Sequence, residues 1–173
     1  IQDDDSLTSG DGTFMLTAVE DAIIDPPPHD KAYFTDQLSA LTSYYESVSG
    51  VKLILKSTVF PEIIELNYPM AHYSSDDEDN ENDNTTDAGL VELFKDAVLS
   101  ADSAGAVFSD YDCYIIFHAG VGKDIALSYD PTPRDIPSAF LNLDDLKRHL
   151  GEGEPNFWGI AVENNSYHIQ EGI

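Results

Sequence analysis

Apolar residues recur at helical spacing in three stretches of the chain. In "DKAYFTDQLSALTSYYESVSG" (30–50), Phe34, Leu38, Leu41, Tyr45 and Val48 stand four and three apart, so one stripe of a helix carries them all. Gly50 is the natural stop, because it alone adopts the left-handed backbone that ends helices without a Cβ penalty. In "AGLVELFKDAVLSADSA" (88–104), Leu90, Leu93, Phe94, Ala97, Val98 and Ala101 follow the same period, and Thr86 or Asp87 is placed to cap it. The third stretch, "NLDDLKRHLG" (142–151), is short but well punctuated. Asn142 is an N-cap, Asp144 and Asp145 sit in the first turn, where unpaired N–H groups favour negative charge, and Gly151 stops it. Leu141 and Leu146 stand at hydrophobic-staple spacing.

Elsewhere the pattern alternates or runs solid, which predicts strands. "TFMLTAVED" (13–21) reads as a first strand, and "DPPPHD" (25–30) then breaks any regular element. In "VKLILKSTVF" (51–60), Val51, Leu53 and Leu55 face one way, and Lys52, Ile54 and Lys56 the other. "IIELNYPMAHY" (63–73) holds a short strand up to Pro69. "VFSDYDCYIIFHAG" (107–120) carries a central strand, whose run Tyr114–Phe117 predicts burial on both faces. "FWGIAVENNSYHIQEGI" (157–173) reads as two short strands around an Asn-Asn-Ser turn. Strands alternating with helices predict an α/β or α+β class: a mixed, twisted sheet of about 4–6 strands with about three helices packed on it. Residues 1–12 form a flexible acidic arm and 13–173 a single domain, with "SSDDEDNENDNTTD" (74–87) as an acidic surface loop.

Composition narrows the function classes. Eight Lys and Arg face 33 Asp and Glu, a net charge of −25. Phosphate would repel such a chain, and no basic patch interrupts the acidity, so a nucleic-acid partner is excluded. No apolar stretch approaches the ~20 residues of a membrane span. The opening "IQDDDSLTSGDG" is polar and acidic and lacks a signal-peptide pattern. Strong acidity suits salty or calcium-containing surroundings, where salt screens self-repulsion and divalent cations bind carboxylates, and a solvated acidic surface is the plainer reading.

Cys113, the one cysteine, cannot form an intrachain disulfide, and its apolar run predicts a buried, inert thiol. Cys113 and His118 lie five apart on one predicted strand, hence on opposite faces and ~16 Å apart, too far for a nucleophile–base dyad. The histidines His29, His72, His118, His149 and His168 never fall into the paired spacing of a catalytic zinc helix. "HAGVG" lacks the spacing of a dinucleotide loop, so Gly120 and Gly122 are read as a turn after a strand, with His118 holding it through a bond to nearby backbone or carboxylate. The metal with most support is calcium: Asp76, Asp77, Glu78, Asp79, Glu81 and Asp83 offer oxygen ligands. No register supplies the glycine an EF-hand needs, so the site is weak at best and a solvated loop is the plainer reading. The run Asp3–Asp5 is read the same way. Asn84 and Asn164 head glycosylation sequons.

The order of several segments resembles a known family. "LTSYYESVSG", "VKLILKSTVFP", "YPMAHYS", "LFKDAV" and "FSDYDCYIIFHAGVGKD", over roughly 30–125, are similar to the immune inhibitor A-like secreted zinc metallopeptidases. The resemblance implies a zincin-like N-terminal half. Two departures stand out. Cys113 follows Asp112 directly, where many members insert an acidic loop, and the family's catalytic His-Glu-x-x-His helix is absent up to Ile173. The resemblance therefore implies a secreted, non-catalytic, pre-catalytic portion that supplies a sheet scaffold and cleft wall. Zinc would enter only with a downstream segment of the same polypeptide. The alternative is a complete extracellular structural, adhesion or filament subunit, calcium-stabilised and joined to other subunits through its arm, with Phe14, Leu16 and Ala18 on the assembling strand. A caspase-like reading of "HAG" fails, because its cysteine would have to stand on a neighbouring strand.

Overall fold

The computed structural model describes residues 8, 10–20, 25–74, 88–120, 122–123 and 135–173. By contacts the chain divides into two compact units, Phe14–Ile63, and Ile1–Thr13 together with Ile64–Ile173.

The unit Phe14–Ile63 is built around helix α1, Lys31–Val48. Asp30 caps it by accepting the Tyr33 N–H at 3.0 Å. At the other end Val51 N–H donates to the Glu46 carbonyl (2.8 Å) and Gly50 N–H to that of Ser47 (3.2 Å), with Gly50 at φ +62°. This Schellman closure satisfies two carbonyls the helix would otherwise leave open. Val51 itself sits at φ +63°, a costly conformation for a β-branched residue. The predicted stripe is present but largely uncovered: none of α1's 18 residues is buried, Phe34 and Leu38 are half-buried, and Leu41, Tyr44, Tyr45 and Val48 are exposed.

The larger unit holds the core. Helix α2, Met70–Tyr73, leads to helix α3, Ala88–Ser103. Helix α3 buries Leu90, Val91, Phe94, Ala97 and Val98, spaced so that two sides of the helix are used. One side packs with Met70, Tyr73 and Ile136. The other packs with Leu141, Leu146, Ile160, Val162 and Ile169. Each such side chain contributes about 1.5–3 kcal/mol of burial. Gly105, at φ +93°, closes α3 with a second Schellman pair, Ala106 N–H to Ala101 and Gly105 N–H to Asp102. Helix α4, Leu143–Leu150, starts in a capping box. Asn142 Oδ1 accepts from Asp144 and Asp145 N–H, and the Asp145 carboxylate accepts from Asn142 N–H.

Strands β1, Ile160–Val162, and β2, Tyr167–Ile169, pair antiparallel with Ile160 opposite Ile169 and Val162 opposite Tyr167. Their turn holds Glu163, Asn164 and Asn165 in left-handed backbone, the region Asn tolerates best among residues with a side chain. Beyond β2, Gly172 exchanges two backbone bonds with Leu141, at 2.8 and 3.0 Å. A Cβ on Gly172 would enter the Phe94 ring, so the C-terminal residues pass α3 only because that position is glycine.

This architecture corrects the expected fold class. Among the described residues there are four α-helices and one two-stranded sheet, in place of a mixed twisted sheet of 4–6 strands of zincin-like form. The missing strands have particular causes. In 13–21, the Met15 carbonyl is taken by His29 N–H (2.7 Å) and no ladder forms. In 51–60, the Lys52 and Leu53 N–H groups both turn back to Ser49 Oγ. In 63–73, Pro69 starts α2, its fixed φ being compatible with a helix entry. The acidic loop 74–87 lies outside the described residues beyond Ser74.

Candidate functional site

The segment singled out by its chemistry, 113–120, is extended but not a buried central strand. Side chains alternate: Tyr114, Ile116 and His118 are half-buried, whereas Cys113, Ile115 and Phe117 are exposed. Burial on both faces was expected from the four-residue apolar run, and one face is what the structure provides. The exposed Cys113 likewise corrects the expectation of a buried thiol. The backbone partner of this segment is the C-terminal residue. Ile116 N–H donates to the Ile173 carbonyl (2.7 Å) and Ile173 N–H to the Tyr114 carbonyl (3.0 Å), the slanted pattern of parallel neighbours.

At its end, His118 Nδ1 lies 2.9 Å from the Ala119 carbonyl, a bond that needs the proton on Nδ1. Gly120 follows at φ +99°, where a side chain would be strained, and Gly122 is half-buried. The ring is thus engaged with its neighbour's backbone rather than with Cys113.

The described residues hold three polar clusters, the first of them joined to this segment through Tyr114, and sequence reasoning found none of them. In the first, Glu163 Oε1 accepts from Ser109 N–H (2.8 Å), its Oε2 from Ser109 Oγ–H (2.9 Å), and its own N–H donates to Asp102 (2.9 Å). The two Ser109 bonds hold the Glu163 carboxyl below its ordinary range, so it stays ionised with both oxygens in use. Beside it, Tyr114 Oη lies within 3.0 Å of Tyr167 Oη and of the Phe108 and Tyr111 carbonyls. Burial, then the bond to Tyr167, pushes the Tyr114 phenol well above its ordinary value.

In the second cluster His72 Nε2 meets Glu92 at 3.1 Å, with Tyr68 stacked on its ring at 4.2 Å. Next to it Tyr73 O–H donates to Asp96 at 3.0 Å, and burial followed by that bond raises the Tyr73 phenol strongly. Asp96 also edges an open depression of about 370 Å³ with Leu66, Asn67, Leu99, Ser100 and Ser103. The third cluster, in the other unit, joins Tyr33 O–H to Asp25 (2.6 Å) and His29 Nε2 to the Asp25 carbonyl (2.9 Å). The bond to Asp25 pushes the Tyr33 phenol up to about 12. Phenols shifted this way remain protonated donors at neutral pH; they tie segments together and do not act as bases. Only His29 and Tyr33, four apart at a helix entrance, left a trace in the sequence. Tyr73 and Asp96, or Ser109 and Glu163, are too distant in sequence to leave one.

Of the other residues read from sequence, Asp76, Asp77, Glu78, Asp79, Glu81, Asp83 and Asn84 lie outside the described residues. Asn164 is exposed at the tip of the β1–β2 turn. Phe14, Leu16 and Ala18 are in no strand; Phe14 sets its ring edge-on to Phe34 at 5.3 Å, and Leu16 and Ala18 are exposed. Among the described residues no three His, Cys, Asp or Glu side chains converge to hold a metal ion, and no helix is long and apolar enough to cross a membrane. The chain matches no family model, no curated protein and no solved structure.

Proposed function

We propose that the chain is a non-catalytic part of a secreted metallopeptidase-like protein. It lends a wall to a cleft that a downstream segment of the same polypeptide, or another subunit, completes and supplies with zinc. The order of segments over 30–125 suggests the family. The observation that carries the reading is α1. Its apolar stripe runs the whole helix, yet none of its 18 residues is buried. A helix draws most of its stability from packing such a face, so this face calls for a cover. The wall this reading needs is the apolar face of α1 itself.

The test is the intact mass and zinc content of the protein isolated from its natural source. A mass well above 19.0 kDa with about one zinc per molecule supports the reading. A mass near 19.0 kDa without zinc contradicts it.

A further inference from the structure

Two segments of the unit Phe14–Ile63 have the side-chain pattern of strands and, among the described residues, no strand partner. Residues 51–60, "VKLILKSTVF", carry Lys52 and Lys56 and no acid; residues 14–20, "FMLTAVE", carry Glu20 and no cation. Both display apolar side chains to solvent. Leu53 is 44% and Ile54 57% exposed; Met15, Leu16 and Val19 are 51%, 52% and 51% exposed. Their backbones are largely unclaimed. Among the described residues, Ile54–Phe60 and residues 16–20 make no backbone hydrogen bond. An extended segment with open N–H and C=O groups is a template for another strand.

We propose that these two segments pair with each other between two copies of the chain. Residues 14–20 of one copy lie antiparallel on residues 51–60 of the other, and the exchange is reciprocal across a two-fold axis. With Glu20 opposite Lys52, the same register sets Val19 opposite Leu53 and Ala18 opposite Ile54. Val19 and Leu53 then meet on one face, and on the other the Glu20–Lys52 charge pair stands beside Ala18 and Ile54. Charge selects this partner. The chain carries −25 overall, but residues 14–63 set Lys31, Lys52 and Lys56 against seven acids, a net of only −4. Two copies therefore repel least where these surfaces meet. Pairing 51–60 with itself would bring lysines together, whereas the arm brings an acid. Within one copy no backbone bond joins the two segments, and the arm is held by Phe34 and His29 instead. This inference is independent of the peptidase-like reading.

The test uses the full chain with the exposed thiol removed by Cys113→Ser. Val19→Cys is placed in a tagged copy and Leu53→Cys in an untagged one, and the two are mixed under mild oxidation. Directly opposed strand residues have Cβ atoms about 4.5–5.5 Å apart, close enough for a disulfide to form with a small adjustment. The expected product is a disulfide-linked heterodimer of twice 19.0 kDa. No heterodimer, or an intrachain disulfide when both substitutions share one chain, overturns the proposal. Sedimentation equilibrium gives a second readout. Lys52→Glu weakens the dimer about tenfold, because two symmetric attractions become repulsions. Combining it with Glu20→Lys restores the affinity. A monomer up to about 100 µM, or a dimer indifferent to Lys52→Glu, refutes the pairing.

Discussion

Replacing Asn142 by alanine tests whether the start of α4 is held as described. Asn142 Oδ1 accepts from Asp144 N–H at 2.8 Å and from Asp145 N–H at 3.3 Å. Asp144 is exposed, so water takes over its N–H at little cost; Asp145 is buried, and its N–H loses a partner where water is scarce. The reciprocal bond from Asn142 N–H to Asp145 survives in the backbone but loses the geometry that the cap imposes. One turn later Leu146, fully buried, anchors α4 to α3, so fraying at the cap reaches the core. The loss is about 1 kcal/mol, which for a domain of this size lowers Tm by about 2–4 °C. Asn142→Asp keeps the acceptor and holds Tm within about 1 °C. Thermal melts followed by circular dichroism measure both. An unchanged Tm for Asn142→Ala, or an equal drop for Asn142→Asp, refutes the capping argument.

Four further outcomes follow from the geometry. Ile169→Ala, in the core, costs about 2–5 kcal/mol by urea unfolding, while Leu41→Ala and Val48→Ala on α1 stay within about 0.5 kcal/mol. Glu163→Gln destabilises the fold at pH 7. Because the folded carboxyl lies below its ordinary 4.5, the difference from wild type is full above that pH and fades as pH falls through the lower folded value. A pH-independent difference would show that the Ser109 bonds are not its cause. Cys113 reacts with a thiol reagent in the native protein as fast as in urea, since it is exposed; strong protection would place it in the core. Tyr33 titrates by ultraviolet absorbance near pH 12 and returns to its ordinary range in Asp25→Asn, the bond to Asp25 being the main cause of its shift.

The parts of the fold legible in sequence are those governed by neighbours within a turn or two. Asn142 with Asp145, and Gly50 behind a stripe, state their helices locally, and the structure places α4 and α1 within the ranges those signals mark. The Asn-Asn pair likewise marked the turn between β1 and β2. Alternation in 13–21 and 51–60 predicted half-buried strands, yet Met15, Leu16, Val19, Val51 and Leu53 are exposed: a strand is completed by a partner, and partner choice is not written in a short window. Ser49 Oγ and the His29 N–H, both local, claimed groups that a ladder would need. In 114–117 four apolar residues suggested two covered faces, while the neighbour found is the chain's last residue, nearly 60 positions away. The polar clusters at Glu163, Tyr73 and Tyr114 were invisible for the same reason: their members meet only after α3, α4 and the β1–β2 pair have packed.

The central claim is that the apolar face of α1 awaits a cover while α3 already has one. Hydrogen exchange of the dilute chain, resolved by segment, tests this directly. Amides in the middle of α3, around Val91–Val98, are protected at least about 100-fold more than those around Leu38–Tyr45, because opening α3 disrupts the core and opening α1 disrupts little. Equal protection of the two helices would contradict the account, since α1 would then be held by packing that its exposed stripe does not show.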